Sequence, residues 1–395
     1  MKKMFILVFA MWLCVPGAAD QADLARFDSV VGYLVETARA QPTQESLLTT
    51  ARGSLPQTSM DLRDALRSAD DRGELQATII KALLKTLDDP WARLYTPDEV
   101  AALRERMSGD RKSSMGVVVV PQTAPICYRV VGVSPQSPAA GKLFPGDSII
   151  WANGLDAKDE KFLDTIKGES GQVNRLKVRD EQGTVREVSV TLRDFDAPTA
   201  YVESKEKGII RVTSFGPETV DELKQAMAEL DGKPAILDLR FNGGGYVTAA
   251  VASSDLFLHR GDKVVTTVSP KKKEVHIALH DVTYHQPVCI LVNGRTASAA
   301  EIFTAALKIN NKAYVVGDKT YGKGSVQRLV SLPGNWALKY TTSLYQTPDG
   351  VFIDKIGLHP DTEIDMELAL SSSSKDKQLA AALAWAEKAG TLAKR

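Results

Sequence analysis

The pattern of apolar positions changes twice along the chain. Between residues 22 and 109, Leu24, Phe27, Val31, Leu34 and Ala38 return at three- and four-residue spacing, as do Ile79, Ile80, Leu83, Leu84 and Leu87. That period predicts amphipathic helices, the second stopped by Asp88-Asp89-Pro90 because the residue before proline avoids the helical region. From Met115 the period shortens to two. Val117–Val120, Tyr128–Val133, Ser148–Trp151, Val173–Val178 and Val185–Leu192 read as strands between Gly, Pro and Asp turns, with one helix-like piece at Glu160–Ile166. The polar stretch Ser108–Ser114 reads as a linker.

Beyond Tyr201, strands and helices alternate. Ile209–Val212, Ala235–Leu239, Val288–Val292 and Ala313–Val316 are strand-like, and helical patterns lie between them. Thr219-Val220-Asp221-Glu222 spells a capping box opening one of those helices. Continuous apolar strands joined by helices predict a buried, largely parallel sheet. An amphipathic helix from Asp376 to Ala389 closes the chain. The expected organisation is a multidomain α/β protein: a helical region over 20–110, a β-rich domain over 111–195, an α/β core over 196–375 and a C-terminal helix within 376–395.

Composition adds three points. The chain has 395 residues, 44% apolar and 25% charged, which suits two or three globular domains. Lys+Arg and Asp+Glu both number 49, so no net charge recruits nucleic acid or an anionic surface. Lys2 and Lys3, the apolar run Met4–Val15 and then Pro16-Gly17-Ala18-Ala19 have the layout of a secretory signal peptide over 1–19. Cleavage there removes Lys2, Lys3 and Cys14 and leaves Cys127 and Cys289 in apolar runs, the setting of buried thiols rather than a disulfide framework. The expected location is exported, in the periplasm or cell envelope.

Three loops that follow core strands could carry chemistry, since open α/β sheets place their sites there. Asn242-Gly243-Gly244-Gly245 lets backbone amides approach an oxyanion or a phosphate, or simply makes a tight turn. Ser298 precedes a helix, and Ser298-x-x-Glu301 spells a second capping box. The same place suits a nucleophile, because a helix N-terminus favours developing negative charge. Gly317–Lys323 nearly matches a phosphate-binding loop, but Gly324 stands where the hydroxyl belongs and a strand follows. The five histidines show no metal-ligand spacing and there is no G-x-S-x-G elbow; neither metal nor cofactor is expected.

Taken in order, Leu87-Asp88-Asp89-Pro90, Val131–Pro135 through Ser137-Pro138-Ala139, Phe144–Asp147, Asp238–Asn242 with its glycine turn, Thr296–Glu301, Tyr321–Gly324 with Gln327, and Gly357–Asp361 resemble the C-terminal processing (tail-specific) serine peptidase family. The resemblance implies a crotonase/Clp-like peptidase core with an inserted PDZ-like domain and a Ser-Lys dyad. Ser298 becomes the nucleophile, Lys323 the base, Gln327 the residue holding that lysine, and the amides of Gly244 and Ala299 the oxyanion hole. A lysine at about 10.4 is a poor base near neutrality, so such a site needs surroundings that disfavour the ammonium form. Met115, Gly116, Val117 and Val118 would be the carboxylate loop and peptide-binding strand of the PDZ-like domain. The partners implied are flexible protein C-termini, together with an adaptor protein and a homo-oligomer through the N- or C-terminal helices. Departures from the family pattern, among them Trp91, Ala92 and Ser114, keep a non-catalytic PDZ scaffold as the competing reading.

Overall fold

A computed structural model describes residues 18–54, 72–107, 113–366 and 375–392. The expected signal run Met4–Val15 and most of the 108–114 linker lie outside the described residues. No helix among the described residues is long and apolar enough to cross a membrane. The chain divides into two compact units. One takes the described residues up to 107 with 269–271 and Val326–Ser343; the other takes the rest. Val326–Ser343 thus groups with the N-terminal helices and not with the α/β core.

In the first unit, helices Ala18–Thr37 and Arg72–Lys85 bury Phe27, Val31 and Leu34 and Ile79, Ile80, Leu83 and Leu84 as their spacing predicts, and helix Gln44–Gly53, which that spacing did not mark, adds Leu47 and Ala51. Val30, Leu34, Ile79, Ile80 and Leu83 are fully enclosed, and Leu338 and Tyr340 join the same core. Burial of each such side chain contributes about 1.5–3 kcal/mol. The Asp88-Asp89-Pro90 turn also has a polar use, because Asp89 accepts bonds from the Thr341 amide (2.6 Å) and hydroxyl (2.9 Å).

The second unit holds a small β domain and the α/β core. The small sheet is antiparallel, in the order 117–123, 126–133, 148–152, 173–179, 185–191. Its alternating inner residues, with Val130, Ile149, Leu176, Val178 and Val190, enclose Phe162, which stacks on Tyr128 at 4.8 Å. The helical piece expected over 160–166 is one turn, Phe162–Thr165.

The core sheet runs 362–363, 313–317, 288–292, 235–238, 209–212, 200–204, parallel except for its last pair. Every residue of Val288–Val292 is buried, as a central strand covered on both faces requires. The C-terminal helix Lys377–Leu392 covers the face carrying Ile236, Cys289, Leu291 and Val316, and Trp385 stacks on Tyr314. Helix Ala299–Ile309 is buried from Ala299 through Leu307, with Glu301 and Thr304 the polar residues inside it.

The capping box expected at Thr219 does not form. Thr219 lies within helix Thr219–Glu229 and makes no capping bond; Glu218 is the cap residue. The Thr219 hydroxyl instead accepts the Gly216 amide (2.8 Å), and Glu222 turns away to Thr199 and Ala200. The local Gly216 amide thus takes the Thr219 hydroxyl, and the distant Thr199 and Ala200 amides take Glu222.

Candidate active site

Three loops leave the carboxyl ends of parallel strands 235–238, 288–292 and 313–317, and backbone bonds lace them together. The Ala297 amide donates to Asn242 O (2.9 Å), the Thr296 hydroxyl to Leu239 O (2.9 Å) and the Tyr321 amide to Thr296 O (3.0 Å). Asn242, fully buried, donates to Val212 O and accepts the Gly244 amide at 2.9 Å. Gly244 has φ 104°, and a Cβ there would lie 2.7 Å from the Ser298 Cβ and 2.8 Å from Ala297 O. Only glycine permits so close an approach. The turn therefore serves contact with the serine loop.

Ser298 itself has φ 61° and ψ −122°. An ordinary helix cap is extended, so capping does not ask for this backbone. A non-glycine residue in that region stores strain of about 1–3 kcal/mol, typical of functional positions. The cap is still made: the Glu301 carboxylate accepts the Ser298 amide (2.9 Å), and the Glu301 amide reaches Ser298 O (2.8 Å). The Ala299 amide, next in the chain, is bonded to no described residue.

Glu301 does more than cap. Fully buried, it also accepts the Lys323 amide (2.9 Å), the Gly322 amide (2.8 Å) and the Thr320 hydroxyl (2.5 Å). Burial pushes its carboxyl above the ordinary range, against the pull of these bonds. One carboxylate thus fixes the backbone of Ser298 and of Lys323 together. The Tyr345 phenol donates to Lys323 O at 2.5 Å and stands 3.5 Å from the Ser298 hydroxyl. Burial pushes that phenol upward as well, so it stays a neutral donor.

The glycines of the third loop meet protein rather than open space. A Cβ on Gly322 would lie 2.7 Å from the Gly357 amide, and one on Gly324 would lie 2.3 Å from that of Asp354. Strand Ser325–Leu332 follows directly. This is not a phosphate cradle, which needs exposed amides at a helix start. Among the described residues no group of three or more His, Cys, Asp or Glu could hold a metal ion.

A buried ion network underlies the first loop. Asp238 pairs with Arg211 (3.1 Å) and Arg240 (2.7 Å), and Arg240 also meets Asp376 at the start of the C-terminal helix (2.6 Å). Burial pushes Asp238 up, but the two arginines outweigh it and hold the carboxyl below its usual range.

The structure therefore brings Ser298, Ala299, Gly244 and Lys323 into one cluster of laced loops. Gln327 lies on strand Ser325–Leu332 in the other unit, with its amide 3.5 Å from the Thr341 hydroxyl. Met115 to Val118 lie on the small sheet. Gly116 has φ 72°, and a Cβ there would strike Ser137 at 2.2 Å; Val117 and Val118 open a strand paired on one side only among the described residues. Tyr345 went unmarked in the sequence because it lies in no motif, near the end of strand Trp336–Gln346, and Glu301 entered only as a cap.

An α/β core whose strained serine, at a helix start, shares a carboxylate clamp with a lysine loop has the form of a hydrolase site of the serine type. Residues 206–364 match peptidase family S41. The chain is 31% identical over 338 residues to a carboxyl-terminal-processing protease of Picosynechococcus, covering 82% of this chain and 80% of that one. It belongs to peptidase family S41. It is also 34% identical over 306 residues to a probable CtpA-like serine protease of Staphylococcus aureus; the match covers 75% of this chain but only 61% of that relative's length. The solved photosystem II D1 C-terminal processing protease shares the fold, with a TM-score of 0.57 over 88% of this chain and 94% of that one, at 24% identity.

Proposed function

We propose that the chain is an exported serine endopeptidase that hydrolyses peptide bonds with Ser298 as nucleophile and Lys323 as base. The observation that carries this reading is the Glu301 clamp, which accepts the amides of both residues at 2.9 Å. In the proposed reaction the Ser298 hydroxyl attacks the scissile carbonyl and passes its proton to the Lys323 amine, which then protonates the leaving amine. The Ala299 amide, with no described partner, would meet the oxyanion. Gly244 would be the second donor; its amide is held by Asn242 at 2.9 Å and would have to be shared or released on substrate binding.

Capture of substrate C-termini would fall to the small β domain acting as a PDZ module. Two features favour this: the open edge of strand Val117–Thr123 and the steric demand for glycine at 116. An extended terminus could add to that edge as a further strand. Gln327 would steady Lys323 during turnover, and an adaptor or a helix-mediated oligomer would present the substrate. The test is degradation of an unfolded protein with a flexible C-terminus. Ser298→Ala and Lys323→Ala should each lower turnover by about 10³-fold or more; full activity in either sinks the mechanism. Peptide binding without any Ser298-dependent product would instead establish the non-catalytic scaffold.

A further inference from the structure

Strand Lys273–Ile277 pairs antiparallel with Lys263–Val268 and, among the described residues, has no neighbour on its other side. Its outer edge offers a row of backbone donors and acceptors. Val275 and Ile277 share one face of it, 48% and 41% exposed, and Leu279 follows at 64%. Val275, Ile277 and Leu279 repeat along this open edge with Lys273, Glu274 and His276 among them, so it offers aliphatic contact and charged groups that a pairing strand could complement.

We propose that this edge seats a second copy of the same chain, joined antiparallel about a two-fold axis at Val275. Directly opposed residues in an antiparallel pair point to the same face, so a symmetric pairing must set one residue against itself. With Val275 on the axis, Val275 meets Val275 in an apolar contact. Glu274 then lies opposite the partner's His276, and His276 opposite the partner's Glu274, giving two favourable pairs. Lys273 lies opposite the partner's Ile277, where its methylene stem can cover the aliphatic side chain. Placing the axis at Glu274 would set two acids against each other, and placing it at His276 would remove the Glu274–His276 pairs. Charge and hydrophobic pattern both select Val275. Lys272, just before the strand, is bonded to Glu274 at 3.0 Å in an exposed pair.

The register gives a sharp test in the full-length chain. With Cys14→Ser removing the one cysteine outside the buried pair Cys127 and Cys289, Val275→Cys should form an intermolecular disulfide under mild oxidation, since opposed Cα atoms lie about 4.5–5.5 Å apart. Lys273→Cys, facing isoleucine, should not. By sedimentation, the unmutated chain should dimerise, and Val275→Asp and Ile277→Lys should each weaken the dimer at least about tenfold. A monomer at about 100 μM, or equal cross-linking at 273 and 275, overturns the proposal. So does a monomer whose Val275→Asp variant cleaves short peptides normally but long unfolded proteins slowly, which would assign the edge to extended substrate.

Discussion

Two helices of the α/β core begin with the same four-residue signature, Thr219-x-x-Glu222 and Ser298-x-x-Glu301, and the fold uses them differently. At the first, Thr219 is drawn into the helix and Glu222 staples Thr199 and Ala200, which lead into the antiparallel edge strand. At the second, Ser298 stays outside the helix at φ 61° while Glu301 staples the Lys323 loop. Both glutamates tie a helix start to a segment far along the chain. The first tie secures the edge of a sheet. The second fixes the backbones of the two residues proposed as nucleophile and base. What separates them is the backbone at the cap and what the carboxylate reaches.

The glycines beside the two helix starts give the largest expected contrast. A Cβ on Gly216 would meet side-chain atoms no closer than 3.3 Å, whereas one on Gly244 would lie 2.7 Å from Ser298. Gly244→Ala should lower turnover by about 10²–10³, the cost of losing an oxyanion donor or misplacing the nucleophile. Gly216→Ala should leave turnover within about twofold. Equal losses in the two variants, read as kcat on one peptide, would show that the close approach at Gly244 has no special catalytic weight.

Removing the two carboxylates sharpens the same comparison. Glu301→Ala leaves four donors without their acceptor and should cost about 3 kcal/mol or more of stability, along with a loss of about 10²-fold in kcat. Glu222→Ala should cost about 1–2 kcal/mol with kcat unchanged. Denaturant melts beside rate measurements separate the two outcomes, and an undiminished kcat in Glu301→Ala would reduce the clamp to a cap. The pH dependence gives a further check. Burial raises Glu301 above its ordinary 4.5, so between those values the native state holds more protons than the unfolded one. Stability should therefore fall as pH rises from 4.5 through the raised value. Glu301→Gln should flatten that segment of the stability curve.

Much of this arrangement was legible in the sequence, and the rest was hidden for a physical reason. The two-residue period of 117–192 and the apolar run Val288–Val292 became strands, because burial on one or both faces leaves a direct imprint on composition. The loops bearing Ser298, Lys323 and Gly244 were marked by short motifs. Their lacing was not, since Glu301 and Lys323 meet across most of helix Ala299–Ile309, strand Ala313–Gly317 and the loop after it, which no local spacing records. Thr219 shows the converse: a locally sound capping box lost to the Thr199 and Ala200 amides brought in by the sheet. Val326–Ser343 grouped with the N-terminal helices because Leu338 and Tyr340 are buried among Leu34, Ile79 and Leu83, a partnership of residues some 250 to 300 positions apart.

Tyr345 gives the smallest effect and the finest discrimination. Its phenol donates to Lys323 O at 2.5 Å and lies 3.5 Å from the Ser298 hydroxyl, so it holds the Lys323 carbonyl while Glu301 holds the Lys323 amide. Tyr345→Phe keeps the ring and removes one neutral hydrogen bond, which costs about 0.5–1.5 kcal/mol. If that loss falls on the positioning of Lys323, kcat should drop about three- to tenfold while KM and the denaturation midpoint barely change. The equivalent change at the other helix start, Thr219→Val, removes bonds to Gly216 and Thr199 and should shift the midpoint while sparing kcat. A phenylalanine variant that loses stability but turns over normally would make Tyr345 a packing residue and leave the tie between the serine and the lysine loop to the Glu301 carboxylate.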